Sequence, residues 1–103
     1  MEKVQLDLDK EGHGHFYIDE NNEQIAKMII GIYDTELTVY HTEVLPKAEG
    51  RGLAKELLNA MVAYARENNL QVIALCPYVV TQFKQHPDEY KDVWKINKVQ
   101  GPE

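Results

Sequence analysis

The sequence predicts an α/β protein: one mixed sheet made of an antiparallel N-terminal meander, then a strand–long helix–strand crossover, then short C-terminal helices. Three observations predict it. Up to Val44, apolar and polar residues alternate in short runs, and the turns between them are too short for a crossover. Between Arg51 and Glu67 the apolar positions follow the 3-and-4 spacing of one helix face. Val72–Cys76 is a short, almost wholly apolar run, the pattern of a strand covered on both faces.

Taken in order, Val4, Leu6 and Leu8 alternate in a weak first strand, and Glu11-Gly12-His13-Gly14 reads as a turn. His15–Asp19 predicts a strand with Phe16 and Ile18 on one face, and Asp19–Glu23 a polar hairpin loop. In Ile25–Tyr33, Ala26, Met28, Ile30 and Ile32 share one face of a strand, although alanine and methionine leave a helical alternative open. After the Asp34-Thr35 turn, Glu36–Val44 alternates with Leu37, Val39 and His41 on one side. Pro46 ends that strand, and Lys47-Ala48-Glu49-Gly50 forms a loop. The helix from Arg51 to Glu67 buries Ala54, Leu57, Leu58, Met61, Val62 and Ala65, with Asn68-Asn69 as its stop. Pro77 stops the next strand; Val79–Gln85 predicts a short helix, and Pro87 begins another. Residues 95–103 read as a weak strand or a loose tail.

The 103 residues suffice for a single domain with one core, and 44% hydrophobic residues argue against disorder. No apolar run nears the roughly 20 residues a membrane helix needs, and the charged Met1-Glu2-Lys3-Val4 start is unlike a signal peptide. A lone cysteine, Cys76, excludes an internal disulfide and fits a reducing, cytoplasmic location. The net charge of −6 argues against general nucleic-acid binding, leaving an anion site only where local groups oppose it.

The segment Glu49-Gly50-Arg51-Gly52-Leu53-Ala54 is such a place. Glycines there permit a sharp turn and close approach to a ligand. The helix start adds unpaired amides and the positive end of the dipole, and Lys47, Arg51 and Lys55 add charge. From the residues alone, a plain tight turn stays the alternative. The Gly-Lys-Ser/Thr ending of a nucleotide phosphate loop is absent, and Lys55 occupies the place of a dinucleotide fingerprint's third glycine.

His41-Thr42-Glu43-Val44-Leu45-Pro46, Gly50-Arg51-Gly52-Leu53-Ala54 and Leu57-Leu58 resemble motif A of the GNAT superfamily of N-acetyltransferases. That motif reads Gln/Arg-x-x-Gly-x-Gly/Ala; Gly52 and Ala54 fit its last two places, and Glu49 stands where the family has Gln or Arg. Leu75-Cys76-Pro77-Tyr78-Val79, Phe83, His86-Pro87 and Glu89-Tyr90 resemble a minimal, roughly hundred-residue GNAT-like branch. The first half matches only as a set of strands, without the family's N-terminal helices.

The resemblance implies an acetyl-coenzyme A-dependent N-acetyltransferase. Its pantetheine arm would lie between splayed parallel strands near Val44, and its pyrophosphate on the loop Glu49, Gly50, Arg51, Gly52, Leu53 and Ala54. It places the acetyl group near Cys76 and His41, the candidate catalytic pair. Cys76 is either a small buried hydrophobe or a group that attacks the thioester or protonates the leaving sulfur. His41 is either a half-exposed strand residue or the activator of Cys76 or of the incoming amine, with Glu43 positioned to orient it or to serve as base. Tyr78, Phe83 and His86 read first as packing or helix-start residues, and Asp88, Glu89 and Asp92 as a solvated face. His13 and His15 form too sparse a pair for a metal, and no metal is expected. The acceptor is an amine, on a peptide or protein rather than a small metabolite. A non-catalytic acyl-coenzyme A sensing module acting through a partner is the second reading, and a purely structural domain the third.

Overall fold

The computed structural model describes residues 3–96. Four strands, β1 (Gln5–Leu8), β2 (His13–Glu20), β3 (Glu23–Tyr33) and β4 (Glu36–Val44), run antiparallel in chain order. Helix α1 (Leu53–Glu67) crosses to β5 (Gln71–Ala74), which lies parallel beside β4. Helices α2 (Pro77–Gln85) and α3 (Pro87–Tyr90) follow. The sheet order is β1-β2-β3-β4-β5, the expected meander plus crossover.

Residues 25–33 are strand, not helix. Ala26, Met28 and Ile30 are buried on one face while Lys27 and Ile29 between them are only half-buried, a period of two. Pairing on both edges satisfies backbone groups that a helix would bond internally. The hairpin before β3 is tighter than the expected polar loop: Asn21 and Asn22 both take positive φ, 54° and 64°, and turn the chain in two residues.

Helix α1 starts at Leu53 rather than Arg51, because Gly52 sits left-handed at φ 79° just before it. Its buried stripe is Leu53, Leu57, Leu58, Met61, Val62 and Ala65, with Ala54 left at the rim. The stripe packs on Phe16, Ile18, Met28, Ile30, Leu37 and Val39 of the sheet. Fully burying each such large side chain contributes about 1.5–3 kcal/mol. The helix ends where the paired asparagines foretold: Asn68 amide and side chain both donate to the Tyr64 carbonyl, at 3.0 and 2.9 Å, and Asn69 takes φ 55°.

β5 departs from the expectation of a doubly covered strand ending at Cys76. Val72 is fully buried, but Ile73 is half-buried and Leu75 is 58% exposed, so only one face is covered. The strand stops at Ala74, and the Leu75 and Cys76 amides both donate to the Val39 carbonyl at 3.0 Å. Pro77 then opens α2 at its first position, where a missing amide costs nothing. Beyond α3, Trp94 bridges to Val72 on the outer edge of β5, and Phe83 stacks between Tyr90 and Trp94. Residues 97–103 of the expected tail lie outside the described residues.

One irregularity sets the site. Ile29 pairs with His41 but Ile30 pairs with Val39, so Tyr40 is an extra residue, a β-bulge, in β4. The bulge reverses the phase of everything after it. His41 therefore does not share a face with Leu37 and Val39, as simple alternation predicts. Thr42 and Val44 take that helix-covered face, in register with buried Met28 and Ala26. His41 and Glu43 turn to the other face, in register with Ile29 and Lys27.

Candidate functional site

β4 runs to Val44, but its pairing with β5 ends at Val39 and Ala74. β5 stops there, so from Tyr40 onward β4 has no ladder partner on that side, and the seam between the end of β4 and the β5–α2 junction is bridged by side chains, Cys76 to Thr42. A strand that outruns its neighbour leaves backbone donors and acceptors without a ladder partner, so this edge of β4 is suited to an extended polar chain.

At one end of the seam lies the turn into α1. Val44, Ala48, Glu49, Gly50, Gly52, Leu53 and Ala54 line a concavity of about 290 Å³. These are the sequence-predicted loop residues apart from Arg51, with Ala48 added. Gly50 and Gly52 have φ of 85° and 79°, a region that L side chains rarely enter. A Cβ built on either meets no atom within 4 Å, so the space beside both is open. No side chain caps the first turn of α1, and Glu56 is the first residue whose amide bonds back, to the Gly52 carbonyl at 3.1 Å. The amides ahead of it carry the partial positive charge of the helix.

The expected cations divide. Arg51 forms a two-pronged ion pair with Glu20 at 3.0 and 2.9 Å, and this guanidinium holds the Glu20 carboxyl below the usual carboxylate range. Lys47 pairs with Glu23. Both contacts tie the loop to the β2–β3 hairpin. Lys55 has no ion-pair partner among the described residues, although a cation in the first helical turn opposes the dipole. A bound anion removes that conflict.

At the other end of the seam Cys76 is 2% exposed. Its Sγ donates to Thr42 Oγ1 at 3.3 Å, across the seam on the helix-covered face. His41 stands on the opposite face of β4, with its Nε2 3.1 Å from Glu43 Oε1, and both side chains are about half exposed. The candidate pair is thus split by the strand: Cys76 meets Thr42, and His41 meets Glu43. Thr42 was invisible to sequence reasoning, because the bulge that turns it inward leaves no local pattern. Tyr78, half-buried one turn into α2, has its phenol pushed up by burial and secondarily by the Cys76 thiol. Tyr40 lies over Gly31, where an added Cβ would come within 3.3 Å of its ring and 3.4 Å of His13.

Other candidates fall away from the seam. His86 is exposed and precedes α3 without capping it, and Phe83 is core. Asp92 is not merely solvated: Arg66 grips it at 2.9 and 3.1 Å, also donating to the Glu89 carbonyl, and holds its carboxyl below the usual range. His13 groups with Asp9 and Glu11 within 4.8 Å, all exposed, but Asp9 Oδ1 already accepts from the amides of Glu11 and His13. His15 is bonded to Gln24 instead. Among the described residues no helix is long and apolar enough to cross a membrane.

A meander ending in a bulged strand, a glycine turn into a long helix and a short parallel neighbour define a class, and comparison with known proteins names it. The family model for GCN5-related N-acetyl-transferases matches residues 15–93. The chain belongs to that family, whose general activity is acyl-coenzyme A-dependent acetyl transfer. A GCN5-like protein from Staphylococcus aureus, solved by NMR, is 30% identical over 100% of both chains, with a TM-score of 0.67. GCN5 from Tetrahymena is 16% identical with a TM-score of 0.60, covering 87% of this chain and 64% of that one. A GNAT family acetyltransferase from Elizabethkingia anophelis with acetyl-CoA bound is 16% identical with a TM-score of 0.56, covering 76% of this chain and 53% of that one. These last two show the shared fold. No curated protein matched the chain.

Proposed function

We propose that this protein transfers the acetyl group of acetyl-coenzyme A to an amine on a peptide or protein. The observation that carries the proposal is the open concavity at the uncapped start of α1, lined by Val44, Glu49, Gly50, Gly52, Leu53 and Ala54. Phosphate on the first-turn amides, with Lys55 beside it, is the ordinary chemistry of such a helix start. The pantetheine arm then runs past Val44 along the unpaired edge of β4 and brings the thioester up to the Thr42–Cys76 contact. Arg51 shapes the loop through Glu20 as well as contributing charge.

The division of Cys76 and His41 between two faces supports a direct transfer. The amine arrives over the face that carries His41, and its lone pair attacks the thioester carbonyl. His41, oriented by Glu43, takes the proton that the nitrogen loses. The carbon–sulfur bond breaks, and the Cys76 thiol gives its proton to the departing coenzyme sulfur; the Cys76 thiolate is reprotonated from solvent. Backbone amides near Val44 stabilise the oxyanion. On the acceptor face His15, Tyr17, Lys27 and Ile29 are half-buried and His41 and Glu43 exposed, an uncovered surface that suits an extended peptide better than an enclosed metabolite.

The test is mass spectrometry of acetyl transfer from acetyl-coenzyme A to a pool of lysine-containing peptides and, separately, to polyamines. Peptide acetylation that falls in Cys76→Ala with coenzyme affinity kept is the expected result. Turnover of polyamines alone overturns the peptide acceptor, and unchanged turnover in Cys76→Ala removes Cys76 from the mechanism. Coenzyme binding with no transfer to any amine would favour the acyl-coenzyme A sensing module.

A further inference from the structure

We propose that Thr42 is a positioning residue whose hydroxyl holds the Cys76 thiol across the β4–β5 seam; this rests on the reading that Cys76 acts on the departing sulfur. The Cys76 backbone is fixed from both sides. Its amide donates to Val39, its carbonyl accepts from Val80 at 3.0 Å, and Pro77 follows it. What remains free is the direction of the thiol. Cys76 occupies the N-cap position of α2, where a polar side chain ordinarily turns toward its own helix, yet it makes no capping bond. Its Sγ–H turns instead to Thr42, 34 residues away in sequence, at 3.3 Å.

Thr42 is built to be a fixed anchor. A β-branched side chain in a strand has restricted χ1, and Thr42 is half-buried and in register with fully buried Met28. The hydroxyl faces inward only because the Tyr40 bulge has reversed the strand's phase; without it, His41 would occupy that face. A hydroxyl both accepts and donates. It accepts from the thiol before transfer and, once the proton has gone to the coenzyme sulfur, rotates to donate to the thiolate. The contact thus spans both states of Cys76 and keeps the sulfur at the mouth of the seam.

The experiment compares Thr42→Val, which keeps the shape and removes the hydroxyl, with Thr42→Ser, which keeps the hydroxyl and removes the methyl. Because Cys76 is the sole cysteine, its alkylation by iodoacetamide reports thiol position in the free protein. For Thr42→Val the expected results are alkylation several-fold faster and kcat for the peptide pool lowered about tenfold, the size of one hydrogen bond. Acetyl-coenzyme A affinity should stay within about twofold, and Thr42→Ser should behave as the parent. In a Cys76→Ala background, Thr42→Val should change kcat no further. Parent-like alkylation in Thr42→Val, or equal changes in Val and Ser, overturns the proposal and leaves Thr42 a packing residue. If Cys76→Ala turns over normally, the functional reading fails on its own, and the alkylation comparison still decides whether Thr42 holds the thiol.

Discussion

At the scale of single residues, the site is a set of short contacts that each predict a loss. His41 Nε2 and Glu43 Oε1 are 3.1 Å apart on an exposed surface. Replacing His41 with Gln should lower kcat by about 10²–10⁴, the range of a general base, with coenzyme affinity unchanged. Steady-state kinetics check this, and an unaltered kcat would return His41 to an ordinary strand residue. Gly31 makes a second residue-level prediction. It is a glycine because the rings of Tyr40 and His13 lie over it, 3.3 and 3.4 Å from where a Cβ would stand. Gly31→Val should displace Tyr40, and with it the neighbouring His41, so transfer should fall more than coenzyme binding does. Parallel turnover assays and calorimetry on that variant measure the split.

At the scale of elements, the Tyr40 bulge and the α1 start do the arranging. A one-residue bulge exchanges the faces of all residues beyond it. Deleting Tyr40 should turn the bulge into a regular ladder, with Ile30 still facing Val39 and Ile29 still facing His41, and so keep His41 and Thr42 on their present faces. Acetyl transfer should then persist and the sheet keep its far-ultraviolet circular dichroism; transfer lost in a folded variant would show that the bulge itself, and not the placing of His41 and Thr42, is what the site needs. Helix α1 positions the loop by its buried stripe. Leu58 is fully buried, so Leu58→Ala should cost about 2–5 kcal/mol in chemical denaturation. The elements were largely legible in the sequence, since alternation marked β2–β4 and the 3-and-4 spacing marked α1. The loop was legible too, because Gly50, Gly52 and the helix start are adjacent in the chain. The bulge was not: Leu37, Val39 and His41 alternate without a break, and only pairing with β3 reveals the slip. Nor were Arg51–Glu20 and Cys76–Thr42 legible, since partners 31 and 34 residues apart meet only through the folded sheet.

At the scale of the whole molecule, ion pairs stitch separate parts together and add a share to the fold's pH dependence. Arg51–Glu20 joins the loop before α1 to the β2–β3 hairpin, and Arg66–Asp92 joins the end of α1 to the segment after α3. The guanidinium beside each carboxyl holds its folded pKa below the ordinary value near 4. A depressed carboxyl contributes stability that is complete above its unfolded pKa and disappears as pH falls through the folded one. Thermal stability should therefore hold from neutral pH to about 5 and drop below about 4. Asp92→Asn should flatten part of that drop in melts recorded across the range, and an unchanged profile would assign the acid sensitivity to other groups. The chain's charge of −6 repels a polyanion in general, so the proposed phosphate site depends on local compensation at the α1 start.

That claim has a direct measurement: calorimetric titration of acetyl-coenzyme A into the parent protein and into Ala54→Asp. Ala54 lines the concavity in the first turn of α1, where a carboxylate favours the helix dipole but repels phosphate. Saturable one-to-one binding by the parent, lost in Ala54→Asp although that variant melts at the same temperature or higher, is the predicted result. No saturable heat from the parent, or equal binding by both proteins, would contradict a phosphate site at the start of α1.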